Sequence, residues 1–158
     1  MSTRTTLSPA VPTRQGANFT ATDLGRLADL ARYEMTIPQF KRPLRGKVFV
    51  KGLLGLTSME VSVTTLPKGA AIPFLHRHKA HEELYLFTGG RGQMQVDGEA
   101  IEVSEGSMVR VATGGARGIR AAPDAELSYL CIQAREGSVP DAEAADDGER
   151  IATPPVWP

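Results

Sequence analysis

All three histidines of this chain fall in one short stretch, His76-Arg-His-Lys-Ala-His-Glu-Glu83. His76 and His78 are two residues apart, so on an extended strand both imidazoles leave from the same face. A turn follows, and Glu82 and Glu83 open the next apolar run, Leu84-Tyr-Leu-Phe87. If the two runs lie side by side, two neutral imidazoles and one carboxylate converge. That donor set suits divalent Fe, Mn, Zn, Ni or Cu and leaves coordination positions free for substrate or O₂. The bland alternative is a surface turn that is simply polar. Three potential ligands within one strand-turn-strand weigh against it. Glu82 and Glu83 face opposite ways on a strand, so only one of them enters a shared site.

Positioning these groups requires a frame of short strands, and the chain has that pattern. Lys47–Val50 is one apolar run, and Met59, Val61 and Val63 alternate with polar residues in the next. Gln93–Val96 meets Ala100–Val103 across Asp97-Gly98, a dipeptide that tolerates the positive φ angles of a tight hairpin. Met108–Val111, Gly118–Arg120 and Leu127–Gln133 follow. Short strands at roughly 8–12-residue spacing predict an all-β sandwich or barrel. Gly89-Gly90-Arg91-Gly92 reads as a hairpin turn; no helix follows it to make a phosphate cradle.

Residues 1–46 read as an N-terminal arm, 47–135 as the β domain and 136–158 as an irregular acidic tail. The first twenty residues, punctuated by Pro9, Pro12 and Gly16, suit a flexible or strand-exchanging arm. Leu24, Leu27, Ala28 and Ala31 recur at helical spacing and predict a short helix over about 22–33. The sole tryptophan, Trp157, sits near the C-terminus, and an exposed indole wastes so much apolar area that the tail is expected to pack somewhere.

With 158 residues the chain suits one domain. Lys+Arg and Asp+Glu are both 18, so the net charge is zero and a dedicated nucleic-acid binder is not expected. The charge is segregated nonetheless. Residues 1–47 carry eight basic groups against three acidic ones, and residues 136–158 six acids against Arg150 alone. Two solvated ends account for this; the sharper reading docks the tail on the N-terminal segment, in the same subunit or a partner. Cys131, the single cysteine, excludes an internal disulfide and reads as a small buried hydrophobe. No apolar run approaches the ~18 residues of a membrane span, and Met1-Ser-Thr-Arg-Thr-Thr lacks a signal-peptide core. The cytoplasm is the expected compartment.

The histidine segment resembles the first motif of the cupin family: a Gly, a spacer, His-x-His, a Glu, then a Gly. Here these are Gly69, His76-Arg-His78, Glu82 or Glu83, and Gly89 or Gly90. The second motif is eroded to Gly98, Ser104 and Gly106. The likeness spans about residues 47–135 and is greatest to small single-domain bacterial cupins. It implies an antiparallel jelly-roll barrel (a double-stranded β-helix) with the site inside its mouth. The spacer to His76 is one residue longer than usual, which a bulge at Pro73-Phe74 would absorb. The family's fourth ligand, a histidine, falls on Arg117, and its Asn on Ala121. A guanidinium cannot ligate a cation.

The resemblance therefore implies a metal held by His76, His78 and a glutamate, with His81 as a supplement. In cupins with a Glu-Glu pair the second member is the ligand, so Glu83 is preferred over Glu82. That choice turns Tyr85 and Phe87 to the lumen, and Gln93, Gln95 and Arg110 are further candidates to line it. Arg117 has two readings: it pairs with Glu83 and replaces the metal, or it clamps the carboxylate or phosphate of a substrate. The leading expectation is a small cupin that binds a divalent metal, Fe, Mn, Zn or Ni, and a small organic anion, with Arg117, Gln95, Tyr85 and Phe87 contacting that ligand; if it is an enzyme, the donor set implies a metal-dependent oxygenase or isomerase with His81 or Tyr85 carrying protons. The rival is a metal-free, non-catalytic binding or accessory protein. A homodimer is expected as well, since open jelly rolls leave edges that the arm could cover in a neighbour.

Overall fold

The computed structural model describes residues 5–38, 42–139 and 148–157. In chain order it forms β1 (Thr6–Ser8), β2 (Thr13–Gln15), β3 (Thr20–Thr22), a 3₁₀ helix (Leu27–Arg32), β4 (Glu34–Thr36), β5 (Leu44–Arg45) and β6 (Lys47–Phe49). There follow α1 (Lys51–Leu54), β7 (Met59–Leu66), β8 (His81–Val96), β9 (Glu99–Ser104), β10 (Met108–Val111), β11 (Arg117–Ala121) and β12 (Leu127–Arg135). No helix among the described residues is long and apolar enough to cross a membrane.

β8 organises the molecule. Its first half lies in a sheet ordered β10-β8-β12-β7-β6, and its second half pairs with β9 and β11. The Gly89–Gly92 run thus sits inside one sixteen-residue strand, not in a hairpin turn. The reason is steric. Gly90 has φ +76°, and a Cβ there would stand 1.8 Å from the Glu126 carbonyl oxygen; one on Gly92 would stand 2.2 Å from that of Arg120. Glycine lets the strand bend sharply while staying paired, with a register shift beside Ser128 and Tyr129.

The core lies between these two sheets. Tyr85, Phe87, Val111, Tyr129 and Cys131 come from one, Met94, Val103, Ile119 and Ala121 from the other. Pairing closes no complete barrel among the described residues; what is shown is a mostly β fold in which both sheets share one strand.

The outer face of the larger sheet is covered by the N-terminal segment. Leu30, Tyr33 and Met35 form a second core with Val48, Val50 and Val63. The segment differs from its expected form in two ways. β1 pairs with β4 of its own chain, so these residues are not a free arm. The helix expected over 22–33 is a 3₁₀ turn confined to Leu27–Arg32, because Gly25 takes φ +69° and breaks any earlier start. In the tail, Asp141, Glu143, Asp146 and Asp147 lie outside the described residues. Trp157 is 80% exposed, so within one chain the tail does not bury its indole.

Candidate metal centre

Two backbone contacts hold the histidines at the end of the roll. His76 bridges to Arg117 at the start of β11: its N–H donates to the Arg117 carbonyl at 3.2 Å, and the Arg117 N–H donates back at 2.9 Å. The His78 carbonyl accepts the Gly114 N–H at 2.9 Å. Ahead of His76 the segment is bulged. Ala71 is opposite Arg120 and His76 opposite Arg117, so five steps on one side match three on the other. Phe74 and Leu75 loop out, exposed, where the extra spacer length was expected to go.

Strand alternation on β8 then decides between the glutamates. Glu83 is buried and faces inward with Tyr85 and Phe87; Glu82 faces outward and accepts Arg110 Nε at 2.5 Å. One donor atom each from His76, His78 and Glu83 lies within 4.8 Å of the others. Donors about 2.1 Å from one ion stand about 3.0–4.2 Å apart, depending on the angle between them. His78 Nε2 and Glu83 Oε1, at 2.9 Å, are at that spacing, and the His76 ring stands 5.4 Å from that of His78, centroid to centroid. Two imidazole nitrogens and a carboxylate oxygen are also the right donors for a divalent transition metal. The residues fit the ion.

Glu83 is held from its other side. Its Oε2 accepts Arg117 Nε at 2.9 Å and the Tyr85 hydroxyl at 2.5 Å, and Arg117 Nη2 contacts the same oxygen. Burial alone would raise the Glu83 pKa, but the Tyr85 hydroxyl and the Arg117 charge outweigh it and hold the carboxyl below its ordinary range. His76 is also held below the ordinary histidine value, first by burial and then by the Arg117 charge. It is therefore neutral and able to ligate near pH 7.

Several candidates take different places. Arg117 is 1% exposed, and its Nη1 donates to the carbonyls of Gly115 at 3.1 Å and His76 at 3.4 Å. The guanidinium is thus enclosed, with its donors turned to Glu83 and two backbone carbonyls. Gln95 is exposed on the outer face of its sheet, opposite Gly118, and Gln93 contacts Glu102 and Arg120 there. Neither reaches the histidines. Phe87 packs at 5.6 Å from the Tyr129 ring in the core, too deep to touch a ligand. His81 stands 6.3 Å from His78, ring to ring, outside the three-donor group. Tyr85 faces inward, but its hydroxyl is committed to Glu83 and burial raises its pKa far above the ordinary value. That suits a positioning residue better than a proton carrier. The Cys131 thiol is pushed up to about 12, mainly by burial and then by the Glu83 charge, so it is no nucleophile.

Sequence reasoning missed Lys47. It lies opposite Thr64 on β6, on the face away from fully buried Val48, and its Nζ sits 4.8 Å over the Phe49 ring. Burial lowers its pKa, and Glu83 lies close enough to oppose that shift. Lysine at the head of an apolar run reads as a solvated strand end; only the sheet pairing turns it inward.

The sequence model of the cupin domain matches residues 62–133. A cupin protein from Bacteroides fragilis is similar to this chain at 38% identity and TM-score 0.64, over 74% of this chain and 94% of that one. Two more distant structures share the fold. A protein from Photorhabdus luminescens has 12% identity and TM-score 0.52, over 58% of this chain and 76% of that one. A sugar phosphate isomerase of the cupin superfamily from Silicibacter pomeroyi has 20% identity and TM-score 0.52, over 57% and 60% of the two chains. No functionally curated protein matches the sequence. The match at the histidine motif and the Bacteroides likeness across most of both chains agree with the site and the sheet topology, and the chain belongs to the cupin family.

Proposed function

We propose that this cupin holds a divalent transition metal on His76, His78 and Glu83 and offers its open positions to a small organic anion. The observation that carries the reading is the split carboxylate: Glu83 keeps Oε1 toward the histidines while Arg117 and Tyr85 hold Oε2. Such a set of donors, when loaded, supplies Lewis-acid polarisation of a carbonyl, or an O₂ site if the ion is iron. An isomerase or an oxygenase is the corresponding enzyme class.

The chain's own residues do the rest. Arg117 and Tyr85 fix the Glu83 rotamer and keep it ionised. His76, held below the ordinary histidine value, offers an imidazole nitrogen, and His78 points its Nε2 at Glu83 Oε1. A divalent ion with Glu83 and Arg117 leaves the site two charges positive, which favours an anionic ligand; inward-facing Lys47 adds to that field. The single cysteine, without a disulfide, accords with a cytoplasmic setting.

A second reading has the Arg117–Glu83 pair replacing the metal in a non-catalytic roll, and the enclosure of Arg117 favours it. Metal analysis of the purified protein against the His76→Ala/His78→Ala variant separates the two. We expect close to one ion per chain in the wild type, lost in the variant, and a lower melting temperature with chelator; a ligand of the native state at 100-fold saturation contributes ~2.7 kcal/mol. Equal, negligible metal in both proteins overturns the proposal.

A further inference from the structure

Arg117, the cation that the sequence offered for an anionic ligand, has its donors turned to Glu83 and two carbonyls. Lys47 is a second cation on the inner face, and its donors are unspent. It lies opposite Thr64, Thr64 opposite Tyr129, and Tyr129 opposite Phe87. Phe87 is four residues past Glu83 on β8, so Lys47 and Glu83 look into the same interior. The Lys47 Nζ sits over the Phe49 ring, and among the described residues no acid pairs with it. Across the strand pair, Thr64 is 2% exposed and its Oγ1 has no hydrogen-bond partner. The Tyr129 hydroxyl is near it but out of hydrogen-bond geometry. An ammonium and a hydroxyl, both drawn out of water and both unsatisfied, carry a desolvation cost that a bound acceptor removes. Half-buried Lys47 and His78 leave that interior reachable from solvent.

We propose that Lys47 and Thr64 together bind the carboxylate of a small organic acid whose second oxygen group reaches His76, His78 and Glu83. The ligand class is a short dicarboxylate or oxo acid that spans the interior. Its metal end rests on the function proposed above; its Lys47 end does not. The chemistry of the pair selects the anion. A lysine ammonium is a compact charge with three donors, and the Thr64 hydroxyl adds a fourth. Glu83 and Glu60 are both close enough to act on that ammonium, so one added negative charge is accommodated there better than the two of a phosphate. The same closeness of Lys47 to Glu83 keeps the ligand short.

Calorimetric titration of malonate, succinate and glutarate into the full-length protein tests this, with the protein metal-loaded and again after chelation. We expect at least one of the three acids to bind. Lys47→Met keeps the stem and removes the charge; it should weaken that acid about 10–100-fold and leave metal content unchanged. Thr64→Val should weaken the same acid by less. Lys47→Met should also keep or raise the melting temperature of the ligand-free protein, because it removes a buried charge that has no acid partner. Binding that depends on Lys47 in a protein that takes up no metal supports this proposal and overturns the metal reading instead. Two results overturn the proposal: none of the acids binds, or wild type and Lys47→Met bind them alike. In the second case a lowered melting temperature in Lys47→Met marks the lysine as purely structural.

Discussion

Arg117 and Glu83 form a buried pair in which the guanidinium takes only one carboxylate oxygen. Nε donates to Oε2 at 2.9 Å, and Oε1 is left 2.9 Å from His78 Nε2. The arginine is where the family resemblance implied a fourth ligand, and the group His76, His78 and Glu83 lies beside it. Arg117 charges and orients the third of them.

Arg117→Met should therefore cost about 3–5 kcal/mol, because it strands a buried carboxylate without its cation. In the Glu83→Gln/Arg117→Met double variant most of that loss should return, since neither charge remains. Urea unfolding of the four proteins measures the cycle; additive effects would mean that the pair is not coupled.

Glu82 and Glu83 should separate cleanly in a metal assay. Glu82→Gln removes an exposed ion pair with Arg110, worth about 0–1 kcal/mol, and should leave metal content unchanged. Glu83→Gln should abolish it. Metal analysis by mass spectrometry reads both.

Acid should destabilise the metal-free protein in two stages. His76 has a pKa below its ordinary 6.5, so the unfolded chain binds the proton more readily. Its contribution is complete above pH 6.5 and is lost as pH falls from there through the folded value. Glu83, below its ordinary 4.5, contributes above pH 4.5 and loses that contribution as pH falls through its own folded value. Chelated wild type should lose stability in both windows, and His76→Gln only in the lower one. Denaturant titrations from pH 8 to pH 3 test the order.

Gly90→Ala should be among the costliest single changes, at roughly 2–4 kcal/mol, because the new methyl meets a carbonyl at 1.8 Å on a φ of +76°. Thermal unfolding should show a fall of several degrees. A neutral result would mean that the bend in β8 does not need glycine.

Much of this was legible in one dimension. The paired histidines at period two, the neighbouring acids and the evenly spaced short strands are local patterns, and local sterics and side-chain alternation fix what they mean. Alternation said that only one of Glu82 and Glu83 faces inward, and the family resemblance preferred Glu83; the strand pairing places Glu83 inside. What the chain alone could not settle depends on which strands become neighbours. Gly89–Gly92 has a turn's composition, yet pairing with β9, β11 and β12 holds it in a bent strand. Gln95, expected to line the lumen, faces outward, and Lys47, which the sequence did not single out, faces inward, because sheet faces, not residue types, decide what looks inward. Arg117 is the sharpest case. Its sequence position admits both a substrate clamp and a structural cation, and only the folded roll shows the guanidinium buried beside a carboxylate and two carbonyls. Burial is a property of the whole assembly of strands, and that is why it could be read only from the tertiary structure.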